Sequence, residues 1–322
     1  MEYATVGRTG LRVSRLCFGT MGFGGVTDLE ASRTLFQRCI GAGITFFDCA
    51  NSYTGGRAET LLGMFMAEAA CRDDLVVVSK VCRPVAAGPN GQGLSRRHII
   101  AEVENSLRRL QTDRIDFYFA HHYDPLTAPE ETLRAFDDLQ RQGKIIHAAV
   151  SNWAAWRIAK ALGLSQREGL APFALVQPMY NLLKRQPEVE LFPLAMAEGL
   201  GAMVYSPLAS GLLTGPYGIE QRPVTGRLAQ PRYAQRYGAE IYFAAAQRFT
   251  DFARENGYEP AALAVAWAMS HPAVTAPIVG ADTLEQLDGA LAALSIEMTP
   301  DLREAVTALS VPPDEAIERE VD

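Results

Sequence analysis

The chain has 322 residues, of which 48% are hydrophobic and 21% are charged, a composition typical of a globular protein with a sizeable core. A formal net charge of -7 excludes the Lys- and Arg-rich composition of a phosphate-backbone binder, so we expect no nucleic-acid partner. Five scattered cysteines without CxxC spacing, no charged leader and no long apolar window favour a cytoplasmic protein with free thiols and no membrane span.

Short β-branched or aromatic runs alternate with amphipathic segments along the whole chain. The predicted strands are 15–20, 45–49, 75–81, 115–121, 145–151, 173–177, 201–206 and 274–280. The predicted helices are 29–42, 58–70, 96–110, 129–142, 154–162, 188–198, 240–255 with 260–270, and 283–294. Eight such alternating units indicate an α/β protein, a (β/α)8 TIM barrel that forms a single domain over residues 1–322.

Three further segments stand outside this alternation. Residues 3–6 and 11–13 flank Gly7-Arg8-Thr9-Gly10, which predicts a short N-terminal hairpin covering the bottom of the barrel. Residues 209–238 are rich in Gly and Pro and lack periodicity, so we interpret them as a lid or ligand loop. Residues 311–322, with two prolines and several acids, are expected to be a solvated tail.

Polar side chains end three successive predicted strands. Asp48, Lys80 and His121 lie at the carboxyl ends of the second, third and fourth strands, and Tyr53 lies in the loop after the second. Each strand residue shares its face with apolar residues two positions earlier, which would place all three side chains on the barrel axis. Since neighbouring strands are about 5 Å apart, the four groups could converge in one pocket at the catalytic end of a barrel.

These residue types suggest proton transfer to a carbonyl. A buried Lys80 needs Asp48 as its counterion, and its charge should lower the pKa of Tyr53 from roughly 10 toward working pH. Tyr53 could then give a proton to a carbonyl oxygen that His121 orients. The set contains no strong nucleophile and no metal cage, so a hydride would have to come from a bound cofactor.

Other interpretations of these residues stay open. An isolated Asp or Tyr is more often a cap or a packed side chain than a catalytic group. Strand parity favours His121 as the histidine that faces the pocket, with His122 at the pocket rim or packed between strand and helix. A hydrolase with His121, His122 and Asp48 as metal ligands is poorly supported, because no HxH motif is present, and we expect no metal.

Taken together, the motifs resemble those of the aldo-keto reductase family over nearly the whole chain. The matching pieces are Gly19-Thr20-Met21, Phe47-Asp48 with Tyr53 and the stretch 56–63, Ser79-Lys80, the stretch 116–121, Ser151-Asn152, Gln177, Tyr205-Ser206-Pro207-Leu208 and the stretch 280–287. The resemblance implies a catalytic tetrad of Asp48, Tyr53, Lys80 and His121. It also implies NADPH-dependent reduction of an aldehyde, a ketone or an aldose.

The same resemblance implies a set of cofactor-binding residues. Gly19, Thr20, Met21 and Asp48 belong to it; Ser151, Asn152 and Gln177 would hold the nicotinamide carboxamide, and Tyr205 would stack on the ring. The pyrophosphate would lie along Ser206, Pro207, Leu208, Gly211 and Leu213, and the adenosine side would meet Arg227, Gly280, Asp282 and Gln286.

Two positions depart from the family pattern and leave alternatives open. Asp282 stands where relatives often have Ser, Arg or Lys, and Ala290 where they often have Asn. A carboxylate repels a 2′-phosphate, which makes NADH a serious rival to NADPH, whereas Arg227 would favour NADPH. The family also includes potassium-channel beta subunits, so a cofactor-binding regulatory subunit with little turnover is the alternative function.

Overall fold

In the computed structural model, which describes residues 1–224, 226–310 and 312–313, eight parallel strands close into a barrel. Two further strands form an antiparallel N-terminal pair, β1 (Tyr3–Thr5) and β2 (Arg12–Ser14). The barrel strands are β3 (Cys17–Gly19), β4 (Phe46–Asp48), β5 (Val76–Val81), β6 (Ile115–Ala120), β7 (Ile145–Ser151), β8 (Phe173–Gln177), β9 (Gly201–Val204) and β10 (Ala276–Val279). The predicted (β/α)8 barrel is therefore confirmed.

Helices cover the outside of the barrel and connect its strands. They are α1 (Leu29–Gly41), α2 (Arg57–Glu68), α3 (Arg96–Leu110), α4 (Pro129–Arg141), α5 (Ala155–Glu168), α6 (Leu191–Glu198), α7 (Pro231–Tyr237), α8 (Glu240–Glu255), α9 (Pro260–Met269), α10 (Leu284–Leu291) and α11 (Pro300–Ala308). Within the described ranges, none of these helices combines the length and the apolar character that crossing a membrane requires.

The N-terminal hairpin lies against the start of β9, at the end of the barrel opposite the strand carboxyl termini. The Arg8 backbone N–H donates to the Gly199 carbonyl over 3.0 Å. Gly7 has φ +49°, and a Cβ there would lie 2.4 Å from the same carbonyl oxygen, so only glycine fits the contact. Val6 and Val13 are buried in the interior cluster of the barrel. The predicted hairpin is confirmed.

The barrel interior is filled by apolar side chains from alternate strand positions. This cluster includes Phe46, Val76, Val78, Phe117, Phe119, Leu175 and Met203. Because Lys80 follows Val76 and Val78 at the same parity, its side chain continues the inward-facing row towards the carboxyl end of β5. The apolar layers below it fill the barrel interior beneath the ammonium.

Some elements differ from the predicted pattern. α7 lies inside the segment 209–238 that was predicted as a loop, and α11 had no counterpart in the prediction. α7 buries only Tyr237 and shows no apolar stripe, whereas α11 carries Leu302 and Val306 at helical spacing, a short pattern that the prediction did not use. α5 continues beyond the predicted end at 162 to Glu168. Residues 311 and 314–322, most of the predicted tail, lie outside the described residues.

A buried ionic contact ties α2 and α3 to β5. The Glu59 side chain on α2 is 0% exposed; it accepts a 2.6 Å hydrogen bond from Arg109 Nε on α3 and another from Ser79 Oγ on β5. A buried carboxylate requires such partners, because its desolvation is otherwise uncompensated. The contact fixes the two helices that follow the Tyr53 loop and Lys80.

We expect Arg109→Leu to lower the free energy of unfolding by about 3 kcal/mol, because Glu59 would remain buried without its cation. Urea denaturation followed by circular dichroism measures the change. Arg108→Leu is the matched control, since Arg108 is exposed on the same helix and should change stability by no more than about 0.5 kcal/mol. Equal effects of the two substitutions would contradict this assignment.

Candidate active site

The carboxyl ends of β4, β5 and β6 bring the four predicted catalytic side chains together. Asp48 is the last residue of β4, Lys80 lies near the end of β5, and His121 follows β6 directly. Tyr53 begins a short 3-10 turn after β4, and its backbone N–H donates to Ala50 O over 3.1 Å. The loop thereby folds the phenol back over the strand ends.

Lys80 is fully buried and uses all three ammonium hydrogens. Its Nζ donates to Asp48 Oδ2 over 2.7 Å, to the Cys49 carbonyl over 2.7 Å and to the Tyr53 hydroxyl over 3.1 Å. The Tyr53 oxygen is therefore an acceptor in this contact, and its own hydrogen is left to point elsewhere. Among the described residues, no acceptor takes that hydrogen. The phenol is available as a donor to a ligand at the mouth.

The electrostatics keep the phenol protonated. Burial raises the pKa of Tyr53 to about 12, and the opposing charge of Lys80 does not overcome this. Burial by itself lowers the pKa of Lys80, but Asp48 and Tyr53 together raise it above its ordinary value. Lys80 acts in the predicted direction, but the expectation that the pKa of Tyr53 falls toward working pH was wrong, because desolvation of the phenolate outweighs the ammonium. At neutral pH the site holds a neutral phenol and a charged ammonium.

His121 lies beside the phenol as a neutral imidazole. It is 6% exposed, and its ring centre is 6.0 Å from that of Tyr53 in an edge-to-face arrangement. Burial is the largest cause that lowers the pKa of His121 far below its ordinary value, followed by the charges of Lys80 and Arg83. A neutral imidazole keeps one N–H and can donate it to an oxygen that also meets Tyr53.

Ser151, Asn152, Gln177 and Tyr205 form a hydrogen-bonded group next to the tetrad. Ser151 Oγ donates to the Gln177 carbonyl over 2.8 Å, and Asn152 Nδ2 donates to Ser151 Oγ over 2.9 Å. The Tyr205 hydroxyl donates to Asn152 Oδ1 over 2.9 Å, and Gln177 Nε2 donates to Asp48 Oδ1 over 2.8 Å. The four predicted nicotinamide-binding residues are thus connected to the tetrad through Asp48.

The turn after β9 has the backbone form of an anion site. Ser206, Ala209, Ser210 and Gly211 all have positive φ, a conformation that can turn backbone N–H groups towards an anion. The Ser210 hydroxyl is buried and has no hydrogen-bond partner among the described residues. These features fit a pyrophosphate at the predicted position. Pro207 and Leu208 belong to the same turn, whereas the Leu213 side chain is fully buried in the core.

The remaining predicted cofactor residues lie at the ends of β3 and β10. Gly19 and Gly280 are adjacent, since a Cβ on Gly280 would be 3.9 Å from the Gly19 carbonyl oxygen. Thr20 Oγ1 donates to the Asp48 carbonyl over 3.0 Å, and the Asp282 N–H donates to Gln286 Oε1 over 2.8 Å. Met21 is exposed in the turn after β3. Arg227 is exposed, and the structure records no side-chain hydrogen bond or ion pair between it and these residues.

Sequence reasoning missed several groups at the mouth. Arg83 Nη2 donates to His122 Nε2 over 2.6 Å, and the His122 ring stacks on His121 at 5.1 Å. Arg232 and Arg236 lie on α7, in the segment without periodicity, so no sequence signal marked them. In the described part of the chain, no cluster of three or more His, Cys, Asp or Glu could hold a metal ion, and His121, His122 and Asp48 do not form one.

A family model described as Aldo/keto reductase family matches residues 15–310. An uncharacterized oxidoreductase, YrpG, of Bacillus subtilis (strain 168) is 36% identical, covering 94% of both chains. A probable voltage-gated potassium channel subunit beta of Oryza sativa subsp. japonica is 36% identical over 96% of both chains. The L-glyceraldehyde 3-phosphate reductase of Escherichia coli (strain K12) is 32% identical over 92% of this chain and 88% of its own length.

Proposed function

Because the chain belongs to the aldo/keto reductase family, we propose that it transfers a hydride between a nicotinamide cofactor and a carbonyl or alcohol substrate. An aldehyde, a ketone or an aldose is the substrate class, and Tyr53 is the general acid and base. The hydrogen bond from Lys80 Nζ to the Tyr53 hydroxyl carries this proposal, because it leaves the phenol hydrogen free for a substrate oxygen.

Each member of the tetrad has a distinct task in this reaction. The substrate oxygen lies between the Tyr53 hydroxyl and the neutral His121 ring, and both donate to it. As negative charge grows on that oxygen, Tyr53 passes its proton to it, and the adjacent Lys80 ammonium stabilises the phenolate that remains. Asp48 holds Lys80 charged and in place over 2.7 Å.

The cofactor supplies the hydride when it is bound. Ser151, Asn152 and Gln177 would hold its carboxamide, and Tyr205 would support the ring. The turn from Ser206 to Gly211 would bind the pyrophosphate; this is supported by the buried Ser210 hydroxyl, for which the described residues offer no hydrogen-bond partner. Gly280, Asp282 and Gln286 would meet the adenosine.

A carbonyl screen tests the proposed activity. Purified protein is mixed with aldehydes, ketones and aldoses, each with NADPH and with NADH, and cofactor oxidation is followed at the nicotinamide absorbance. We expect reduction of at least one class of carbonyl. The proposal fails if the protein binds cofactor tightly and reduces none of them.

A second candidate is a cofactor-binding regulatory subunit. Relatives in Oryza sativa subsp. japonica and Arabidopsis thaliana are named probable voltage-gated potassium channel subunit beta and are 36% and 35% identical to this chain. Tight dinucleotide binding with very slow turnover of every carbonyl would favour this role. The complete tetrad favours the enzyme, because the hydrogen bond from Lys80 to Tyr53 assists proton transfer.

NADPH is the cofactor that we propose, with NADH as its rival. Asp282 is exposed after β10, where its carboxylate would repel a 2′-phosphate and accept a hydrogen bond from a 2′-hydroxyl. We expect Asp282→Ser to raise the ratio of NADPH affinity to NADH affinity by about tenfold, because it removes the repulsion between the Asp282 carboxylate and the 2′-phosphate at a site that salt partly screens.

Fluorescence titration of both cofactors measures the change in affinity ratio. Arg227→Gln is the opposing variant, because removing its charge should lower the same ratio if its loop reaches the ribose phosphate. An unchanged affinity ratio in Asp282→Ser would show that the carboxylate does not discriminate between a 2′-phosphate and a 2′-hydroxyl on the ribose.

A further inference from the structure

Three arginines from two strand-to-helix connections lie near the entrance to the candidate site. We call Arg83, Arg232 and Arg236 the cationic rim. Arg83 follows β5, and the other two lie on α7, in the long connection after β9. Both connections leave the carboxyl ends of the strands, the end at which the tetrad lies. The rim therefore belongs to the catalytic end of the barrel.

Hydrogen bonding and stacking fix Arg83 next to the tetrad. Its Nη2 donates to His122 Nε2 over 2.6 Å, and the His122 ring lies nearly parallel to His121, at 19° and 5.1 Å. The stacked imidazole rings of His122 and His121 thus separate the Arg83 guanidinium from the space where the substrate oxygen would lie. A guanidinium has five N–H donors, and the bond to His122 uses one of them. The others can bind a ligand.

The two arginines of α7 lie beside the ring of Tyr233 on the same helix. Their guanidinium carbons are 5.7 and 5.8 Å from the centre of the Tyr233 ring, and Arg236 lines a cavity of about 630 Å³ together with Tyr205. Burial raises the pKa of Tyr205, while Arg236, Arg232 and Arg83 oppose that rise. All three positive charges therefore act on the Tyr205 hydroxyl.

Among the described residues, no carboxylate lies within 4.0 Å of a rim guanidinium, although Glu190 lines the same cavity as Arg236. The recorded ion pairs within 4.0 Å use other basic residues and leave these three arginines out. Three like charges at one opening repel one another, and they lie on a chain whose net charge is -7. A bound anion would relieve this repulsion, so the arrangement suits a negatively charged ligand.

We propose that the substrate is an anionic carbonyl compound, an aldehyde or ketone that carries a phosphate or carboxylate, and that the cationic rim binds that anion. This inference rests on the proposed oxidoreductase function and specifies its substrate class. The carbonyl points to Tyr53 and His121 while the anion remains at the entrance. Arginine suits this role because its planar fork can donate two parallel hydrogen bonds to a phosphate or a carboxylate.

Matched substrate pairs test the inference on the full-length protein. The pairs are butanal with 4-oxobutanoate, and glycolaldehyde with glycolaldehyde phosphate, so that each pair differs in the anion and the two pairs separate carboxylate from phosphate. We expect kcat/KM to be at least about tenfold higher for the charged member of one pair, since a charged hydrogen bond is worth a factor of that order. The preference should shrink as salt screens the rim.

Substitutions locate the preference on the protein. Arg232→Gln should reduce the ratio of kcat/KM for the charged substrate to kcat/KM for its neutral counterpart by about tenfold. The change should come mainly from KM. Arg83→Gln should reduce the same ratio independently. Arg222→Gln removes an equal charge from an exposed arginine in the same long connection and is the matched control, for which the ratio should not change.

Three results would overturn the inference. Equal kcat/KM values for charged and neutral members of both pairs would show that the rim does not select anions, while leaving the reductase activity established. If Arg232→Gln and Arg83→Gln weaken cofactor binding tenfold and leave the substrate ratio unchanged, the rim serves the cofactor phosphates instead. Failure to reduce any carbonyl, with either cofactor, would overturn the proposed function itself.

Discussion

Replacing Tyr53 by Phe lowers kcat/KM for carbonyl reduction by about 10²- to 10⁴-fold, the range that a positioned general acid contributes. The substitution removes the single oxygen that accepts from Lys80 over 3.1 Å and that we assign as proton donor. The hydrogen bonds from Gln177 to Asp48 and from Asn152 to Ser151 remain. Cofactor affinity should therefore stay within about threefold of the wild type, which fluorescence titration measures.

Tyr118→Phe is the matched control for this experiment. Tyr118 lies on β6 and is fully buried in the outer core, and the hydroxyl that the substitution removes has no hydrogen bond to the tetrad among the described residues. Its activity should stay close to that of the wild type. If Tyr53→Phe kept most of the reductase activity, another group would be the acid. If it also lost cofactor binding, the effect would be structural.

Lys80→Met should have the second largest effect, because it acts on both chemistry and stability. Without the ammonium, the main group that opposes the raised pKa of Tyr53 is absent, so the phenolate left after proton transfer is less stable. We expect kcat to fall by about 10²-fold or more. Asp48, 3% exposed, would remain buried without its cation, which costs about 3–5 kcal/mol of folding free energy.

The double variant Asp48→Asn, Lys80→Met separates these two effects. It removes both charges, so we expect most of the lost stability to return while activity stays low. Urea denaturation and steady-state kinetics of the two single variants and the double variant complete the cycle. If activity returned together with stability, Lys80 would serve the fold and not the reaction.

The sequence predicted the barrel because its strands are buried on both faces and carry strong β-branched runs. It also predicted which strand ends bring Asp48, Lys80 and His121 together, since side-chain parity fixes which of two neighbouring residues faces the axis. The row from Val76 through Val78 to Lys80 illustrates this, because the structure places the two valines in the barrel interior. The family resemblance extended the candidate site to Ser151 and Tyr205.

Other features depend on the folded state and could not be predicted from pattern. Whether the pKa of Tyr53 is raised or lowered depends on the balance between burial and the Lys80 charge. Only the three-dimensional packing shows that burial outweighs the charge. The arginines of α7 lie on a short, mostly exposed helix that begins at Pro231 and has no apolar period. Their position near Tyr205 follows from the path of a long connection.

The pH dependence of hydride transfer tests the central claim, that Tyr53 donates its proton from a phenol held by Lys80. With a raised pKa of about 12, the acid form of Tyr53 is fully present at lower pH and is lost only as the pH rises towards that value. His121 stays neutral because its pKa is far below the range of assay. Neither group should therefore titrate between about pH 6 and pH 10.

Single-turnover stopped-flow at saturating substrate and reduced cofactor measures this rate directly. We predict a rate that stays nearly constant between about pH 6 and pH 10 in the wild type, and a far lower rate in Tyr53→Phe. A wild-type rate that falls about tenfold per pH unit from near neutrality would mean that the proton donor ionises there, and this would contradict the assignment of a protonated Tyr53.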